Sequence, residues 1–269
     1  MNWFSVFGHD IRGGILRRRY LLVPVLFCIP CFDCMRRLNG CAGSWVDYLM
    51  HCFRGSLPPA DIGSFEFPIL WLLILGGCMF LNLDYPLNDL TDAGLQVIVR
   101  TRRRRDWFLS KCAWNLLSCA VYVLLGALTA LLFALVFGGN ASLINTPGAA
   151  ERTLSIYVID SLPIGQALLV AVVLPYLTIA ALNMLQMSLS LVMKPIFSFL
   201  ICICMLISSA FYASPFLLGN GAMVVRSGIL VEGMLNPGTT ALTCLGFIVL
   251  SIIIGIVRFG RMDFLRYEG

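Results

Sequence analysis

Three cysteines near the amino terminus have a spacing that could bind a soft metal or support redox chemistry. Cys28, Cys31 and Cys34 form two overlapping C-x-x-C spacings, which place the three thiols on one side of a helix. No histidine or second cysteine pair lies near them, and they fall inside an apolar run. A cysteine in such a run acts as a small hydrophobic residue, so we expect no metal site. A disulfide between Cys41 and Cys52, which lie beyond that run, is left open.

The other residues that commonly do chemistry are too few or too scattered to form a catalytic site. Lys111 and Lys194 are the only lysines and follow serine and methionine, so the G-x-x-x-x-G-K phosphate loop is absent. With His9 and His51 as the only histidines, the H-E-x-x-H metalloprotease motif is excluded. Apart from Asp33 near one end of its span, no predicted span carries a buried acid or base, which disfavours proton-coupled transport. We therefore expect no catalytic residues, no cofactor and no enzymatic activity in this chain.

The composition is that of a protein embedded in a membrane. Hydrophobic residues make up 59% of the 269 residues and charged residues 12%, whereas a soluble domain carries roughly 25% charged residues. Basic loops beside a membrane account for the net charge of +5, so no nucleic-acid partner is needed. No polar stretch is long enough for a separate soluble domain. We predict a single membrane domain, residues 1–269, in contact with lipid.

One polar stretch lies between two long apolar runs and is strongly basic. Residues 99–114 hold six of the nineteen Lys and Arg residues, and such residues are retained on the cytoplasmic side of a membrane. Trp107 and Trp114 lie two helical turns apart, so they share a face where interfacial tryptophans occur. The residues just before this stretch have the spacing of a short amphipathic helix. Its apolar stripe consists of Leu90, Gly94, Val97 and Ile98.

The apolar runs predict an all-α membrane protein with six transmembrane helices and both termini in the cytoplasm. The predicted spans are residues 20–35, 64–81, 112–137, 163–193, 196–213 and 239–257. Between and beside them we expect an amphipathic interfacial helix, an outer loop, a cytoplasmic segment, a second outer loop, short re-entrant or interfacial helices, and a cytoplasmic tail. These are residues 1–19, 36–63, 82–111, 138–162, 214–238 and 258–269. This topology puts fourteen of the nineteen Lys and Arg residues inside.

Three polar side chains recur in the inner half of the fourth span. Asn183, Gln186 and Ser190 follow one another at spacings of three and four, so they share one helical face. Amides within a membrane face other helices or a water-filled cavity. Two interpretations are equally open: the residues hold helices together, or they line a transport path. Pro175 in the same run predicts a kink.

These features together resemble the permease subunit of a type-2 ABC exporter, a bacterial ATP-driven transporter. The resemblance covers the whole plan of the chain and is sharpest in residues 82–111. In that family a coupling helix rests in a groove of the ATPase and is followed by a basic run, an aromatic residue and a lysine. Here those roles would fall on residues 90–99, then 102–105, Trp107 and Lys111. The run of four arginines is denser than the family's pattern.

The resemblance implies a unit of two permease subunits, of the same or related chains, and two ATPase subunits that bind ATP and Mg²⁺. The unit would lie in the bacterial plasma membrane and expel an amphipathic or hydrophobic peptide, lipid-like molecule or drug. Asn183, Gln186 and Ser190 would line the substrate path. The ATPase-coupling residues would be Leu90, Gly94, Val97, Ile98, Arg102, Arg103, Arg104 and Arg105. The alternative is a membrane sensor or immunity protein that acts by binding and transports nothing.

Overall fold

A computed structural model describes residues 18–59, 65–83, 104–146, 148–156 and 161–260. The described residues form an all-helical bundle without a β-strand, which confirms that the chain is all-α. The α-helices are α1 (Leu22–Leu38), α2 (Trp45–Cys52), α3 (Ile69–Leu81), α4 (Arg104–Val136), α5 (Ala149–Leu154), α6 (Ile164–Leu168), α7 (Leu174–Ser190), α8 (Pro195–Phe211) and α9 (Pro237–Gly260). A π-helical turn, Leu169–Val173, joins α6 to α7, and 3₁₀ turns occupy Arg18–Leu21, Leu218–Ala222 and Val224–Arg226.

Three helical segments in the described part are long and apolar enough to cross a membrane: Trp107–Val136, Ile164–Ser190 and Pro237–Gly260. Their outward faces carry large apolar side chains. Leu132 of α4 is 62% exposed and Leu242 of α9 is 71% exposed. Their inward faces include small residues such as Ala134 of α4 and Cys244 of α9, which let neighbouring helices approach closely. This is the construction of a membrane protein, because such outer faces would be unfavourable in water.

Two predicted span boundaries differ from the helices in the structure. The third span was predicted to begin at residue 112, but α4 begins at Arg104 and runs for 33 residues, which is about 50 Å. The second was predicted to begin at residue 64, but residues 65–68 are not helical and α3 begins at Ile69, after Pro68. With 13 residues, α3 is short for a membrane span.

The interfacial position predicted for Trp107 and Trp114 is wrong. Both indoles point into the bundle and are 2% and 1% exposed. Trp107 stacks on Phe259 of α9, with 4.9 Å between ring centroids, and the Lys111 ammonium lies 5.1 Å from the Trp107 ring centroid. A seven-residue spacing fixes a shared face of the helix but not the direction in which that face points.

The outer loop predicted at residues 36–63 contains a buried helix, α2. Its start is a capping box, in which Ser44 Oγ accepts from the Asp47 N–H and Asp47 Oδ2 accepts from the Ser44 N–H. Asp47 also accepts from the Thr146 N–H, so it ties α2 to the loop after α4. Burial raises the pKa of Asp47. Apolar side chains make up most of the helix, and it packs against α1 and α4.

The kink predicted at Pro175 corresponds to the π-helical turn that precedes it. Pro175 lies in the first turn of α7 and cannot donate a backbone hydrogen bond. Its ring would also crowd the carbonyl four residues earlier in a regular α-helix, and that residue, Ala171, lies within the wider π turn. The turn therefore lets one apolar segment continue through a proline.

Arg226 lies in the segment between α8 and α9 and connects it to the end of α8 by hydrogen bonds. The short helices predicted in this segment occur as two 3₁₀ turns. Its side chain is fully buried and donates to the carbonyl oxygens of Ser56, Ser209, Ala210 and Tyr212 and to Asn220 Oδ1. The acceptors from residues 209, 210 and 212 belong to the end of α8, where unpaired carbonyls attract a cation. Burial lowers the pKa of Arg226 to about 10, so the guanidinium stays charged at neutral pH.

Candidate functional site

A buried hydrogen-bond network joins four parts of the chain: the 3₁₀ turn before α1, the end of α3, α4 and α7. Asn82, just after α3, accepts at Oδ1 from the hydroxyls of Tyr20, at 3.2 Å, and Ser118, at 2.6 Å. Its amide donates to Asn183 Oδ1 of α7 at 3.1 Å. Asn115 of α4 donates to the Asn183 carbonyl oxygen at 3.2 Å. In the sequence, Asn82 precedes and Asn115 follows residues 84–103, which we call the central segment, so the network connects α3 and α4, the helices before and after that segment.

Gln186 and Ser190 lie on the same buried face of α7 as Asn183 but make fewer contacts with other helices. Gln186 donates to the Met79 carbonyl oxygen of α3 at 3.2 Å, and its Oε1 atom has no partner among the described residues. Ser190 donates within α7, to the carbonyl oxygen of Met187. The contacts of Asn183 and Gln186 link α7 to Asn82 and to α3, as expected if these residues hold helices together. Their place on a substrate path stays a prediction.

Most of the predicted ATPase-coupling residues lie outside the described residues. This applies to Leu90, Gly94, Val97, Ile98, Arg102 and Arg103. Arg104 begins α4 and Arg105 is exposed in its first turn. The described part of this region continues into the buried cluster of Trp107, Lys111 and Phe259. The coupling assignment stays a prediction.

Sequence reasoning missed four members of the network: Tyr20, Asn82, Asn115 and Ser118. A signal for them exists. Asn115 and Ser118 are three residues apart in an apolar span and therefore share a face, as Asn183 and Gln186 do. Asn82 and Tyr20 lie at the ends of apolar runs, where a polar residue is ordinarily attributed to the membrane surface. Only the packing of the helices shows that they turn inward.

A cleft of about 410 Å³ lies at the other end of α1 and α3. Charged side chains from three segments line it. Asp33 of α1 accepts from Arg37 Nε at 2.8 Å and lies 2.9 Å from His51 Nε2 of α2. Arg54 donates to Ser155 Oγ at 3.0 Å, and Glu66 lies before α3. Burial and the nearby charge of Arg37 lower the pKa of Arg54.

The cysteines do not assemble a metal site within the described ranges, where no group of three or more suitable side chains is arranged to hold an ion. Cys31 Sγ lies 3.8 Å from Cys52 Sγ, and both side chains are buried. Cys41 is exposed and accepts from Arg152 Nη1. The sequence left open a disulfide between Cys41 and Cys52, but the cysteine beside Cys52 is Cys31, and the thiols are free.

Comparison with known proteins places the chain in one family. The model of that family, described as "Protein of unknown function (DUF2705)", matches residues 60–265. The chain belongs to DUF2705. The DUF2705 match includes the whole central segment and every predicted span from the second to the sixth. No curated protein and no solved structure matches the chain.

Proposed function

We propose that this DUF2705 protein is the permease subunit of an ABC exporter, with six spans and both termini in the cytoplasm. Two such subunits and two ATPase subunits would form the working unit in the bacterial plasma membrane. A separate ATPase chain would supply ATP and Mg²⁺ binding. The substrate class would be amphipathic or hydrophobic: a peptide, a lipid-like molecule or a drug.

The observation that carries this proposal is the network between the helices that precede and follow the central segment. Asn82 and Asn115 flank residues 84–103 and are both hydrogen-bonded to Asn183, and Tyr20 adds the start of α1. A displacement of the central segment would therefore reach α1, α3, α4 and α7 together. Coupling in an exporter needs such a connection between one cytoplasmic element and several spans, because packed elements move as units.

The coupling role is tested by placing charges on the apolar stripe of the central segment. Replacing Val97 and Ile98 with aspartate should abolish co-purification of the partner ATPase, because the apolar face offered to that partner is lost. Insertion into the membrane should be normal. Replacing Arg102 to Arg105 with glutamine tests the basic run separately: it leaves ten of the fourteen inner Lys and Arg residues in place, so the topology should survive. Retained ATPase binding and normal transport in the aspartate variant would refute the assignment.

A second prediction concerns the polar face of α7. Replacing Asn183 and Gln186 with leucine should reduce substrate-stimulated ATPase activity more than it reduces protein yield. The reason is that the double variant removes the acceptor of Asn82 and the donor to Met79, and so disconnects α7 from α3. Ser190→Ala is the comparison variant, since among the described residues its hydroxyl bonds to Met187 of the same helix and does not link α7 to α3. A collapse in yield, with normal activity in the protein that survives, would make these residues purely structural.

The alternative, a membrane sensor or immunity protein that acts by binding, is favoured by the charged cleft beside Asp33 and His51. A protein of that kind would need no ATPase. A stable complex with an ATPase that carries a phosphate loop supports the exporter, and a stable monomer without one supports the alternative.

A further inference from the structure

Two buried thiols from different helices touch at the end of the bundle that carries the charged cleft. The Sγ atoms of Cys31, in α1, and Cys52, at the end of α2, are 3.8 Å apart. Both residues are at most 1% exposed. Sulfur atoms at this distance are in van der Waals contact, whereas the bond of a disulfide is about 2.0 Å long. A shift of about 1 Å by each sulfur would therefore bring the two atoms to bonding distance.

Contacts on both sides of this thiol pair hold α2 against α1. His51, the residue before Cys52, lies 2.9 Å from the Asp33 carboxylate of α1. The ring of Phe53, the residue after Cys52, packs edge-on against Phe27 of α1, with 6.1 Å between the ring centroids. Three consecutive residues of the chain thus meet α1. Because the neighbouring contacts fix the two segments, the two thiols are held together by the fold.

A third cysteine offers a competing partner within α1. Cys34 lies three residues after Cys31, so the two share one face of the helix, and Cys34 is buried as well. A bond between these two residues would lie within one helix and would connect nothing else. A bond between Cys31 and Cys52 would instead join two helices that are 21 positions apart at those residues.

We propose that Cys31 and Cys52 are a site of oxidative modification and form a disulfide that joins α1 to α2. The proposal rests on the proposed orientation of the spans, which places this end of α1 outside the cytoplasm, where disulfides persist. It requires neither an ATPase nor a transported substrate. By closing a loop in the unfolded chain, the disulfide would stabilise α2 in its place. Cys52 is part of the wall of the charged cleft, so the same bond would also hold that wall.

The oxidant is the disulfide of an extracytoplasmic thiol oxidase. One of the two thiols loses its proton and attacks a sulfur of that disulfide, which forms a mixed disulfide and releases one thiolate of the oxidase. The second thiol, also deprotonated, then displaces the other oxidase sulfur. The Cys31–Cys52 bond has formed, and the two electrons and two protons of the pair reside on the two oxidase thiols. Because both cysteines are buried in the folded protein, this exchange takes place before α2 packs onto α1.

The test labels the thiols of the full-length protein in two steps. Cells are lysed in denaturant with excess N-ethylmaleimide, which blocks every free thiol, and the protein is then reduced and treated with iodoacetamide. Fragment-ion mass spectrometry should find the second label on two of the eleven cysteines, Cys31 and Cys52, in most molecules. Cys34→Ser, which removes a buried thiol of the same helix, is the matched control and should give the same two positions. A host strain without the thiol oxidase should leave both with the first label.

Several results would overturn the proposal. These are the first label on both cysteines in the oxidase-containing host, a second label shared by Cys31 and Cys34, or loss of the pair in Cys34→Ser. A disulfide that persists without the oxidase would overturn the assigned oxidant. Cys41, which is exposed, reports the orientation separately, because a membrane-impermeant maleimide added to spheroplasts should label it. If Cys41 is labelled but no disulfide is found, the disulfide fails while the orientation stands, whereas an unlabelled Cys41 without a disulfide contradicts both.

Discussion

Replacing Arg226 with glutamine is expected to lower the free energy of unfolding by about 4 kcal/mol, because several buried acceptors lose their donor. In a protein of this size that corresponds to a fall of about 10 °C in the unfolding temperature. The acceptors include the last carbonyl groups of α8 and the Ser56 carbonyl oxygen. A thiol-reactive dye can follow the transition in detergent, because most of the cysteines are buried until the protein unfolds.

Two further variants show whether the loss comes from the hydrogen bonds of Arg226 or from its charge. Arg226→Lys keeps the charge but not the planar arrangement of donors, so it should be destabilised by an intermediate amount. Arg258→Gln removes an exposed arginine and should change the unfolding free energy by no more than about 0.5 kcal/mol. If Arg226→Gln unfolds at the temperature of the unmodified protein, the hydrogen bonds from Arg226 to the end of α8 do not stabilise the fold.

Gly255→Ala is expected to destabilise the contact between α9 and α4. A methyl group at this position would overlap the ring of Phe108, which is 1% exposed and packed beside Phe259. Overpacking of this kind costs about 1–3 kcal/mol, and the better helix propensity of alanine offsets at most about 1 kcal/mol. The dye assay should therefore show a lower unfolding temperature.

The same helix provides the control for this substitution. Gly246→Ala meets no atom within 4 Å, so only the helix propensity changes and the unfolding temperature should stay the same or rise. Opposite signs for the two glycines would establish the close approach at Gly255. An equal response at both positions would contradict it.

The helical class and the long apolar helices could be predicted because hydropathy sums over many residues. Single boundaries could not, since they depend on local backbone groups. The Ser44–Asp47 capping box starts α2 inside a predicted loop, and Pro68 delays α3. Both signals are present in the sequence but short. One or two residues that fit a helix cap or a helix-breaking proline occur by chance in many loops, so they do not predict a helix boundary.

The polar face of Asn183 and Gln186 was predictable from spacing, but its partners were not. Periodicity identifies which side chains of one helix share a face, whereas the partner depends on how helices from distant parts of the chain pack. The same limitation explains the error at Trp107, which stacks on Phe259 at the far end of the sequence. The charged cleft was missed for this reason too, because Asp33, His51 and Glu66 are far apart along the chain and meet only in the fold.

The shortness of α3 has a consequence for the surrounding lipid. Its 13 residues extend about 20 Å, whereas the hydrocarbon core of a bilayer is about 30 Å thick. In the proposed topology this hydrophobic mismatch would thin the bilayer beside α3, and phospholipid headgroups there would sink towards Ile69. The 24 residues of α9 match the bilayer thickness, so no such thinning is expected beside α9. We expect the protein to favour thinner membranes for this reason.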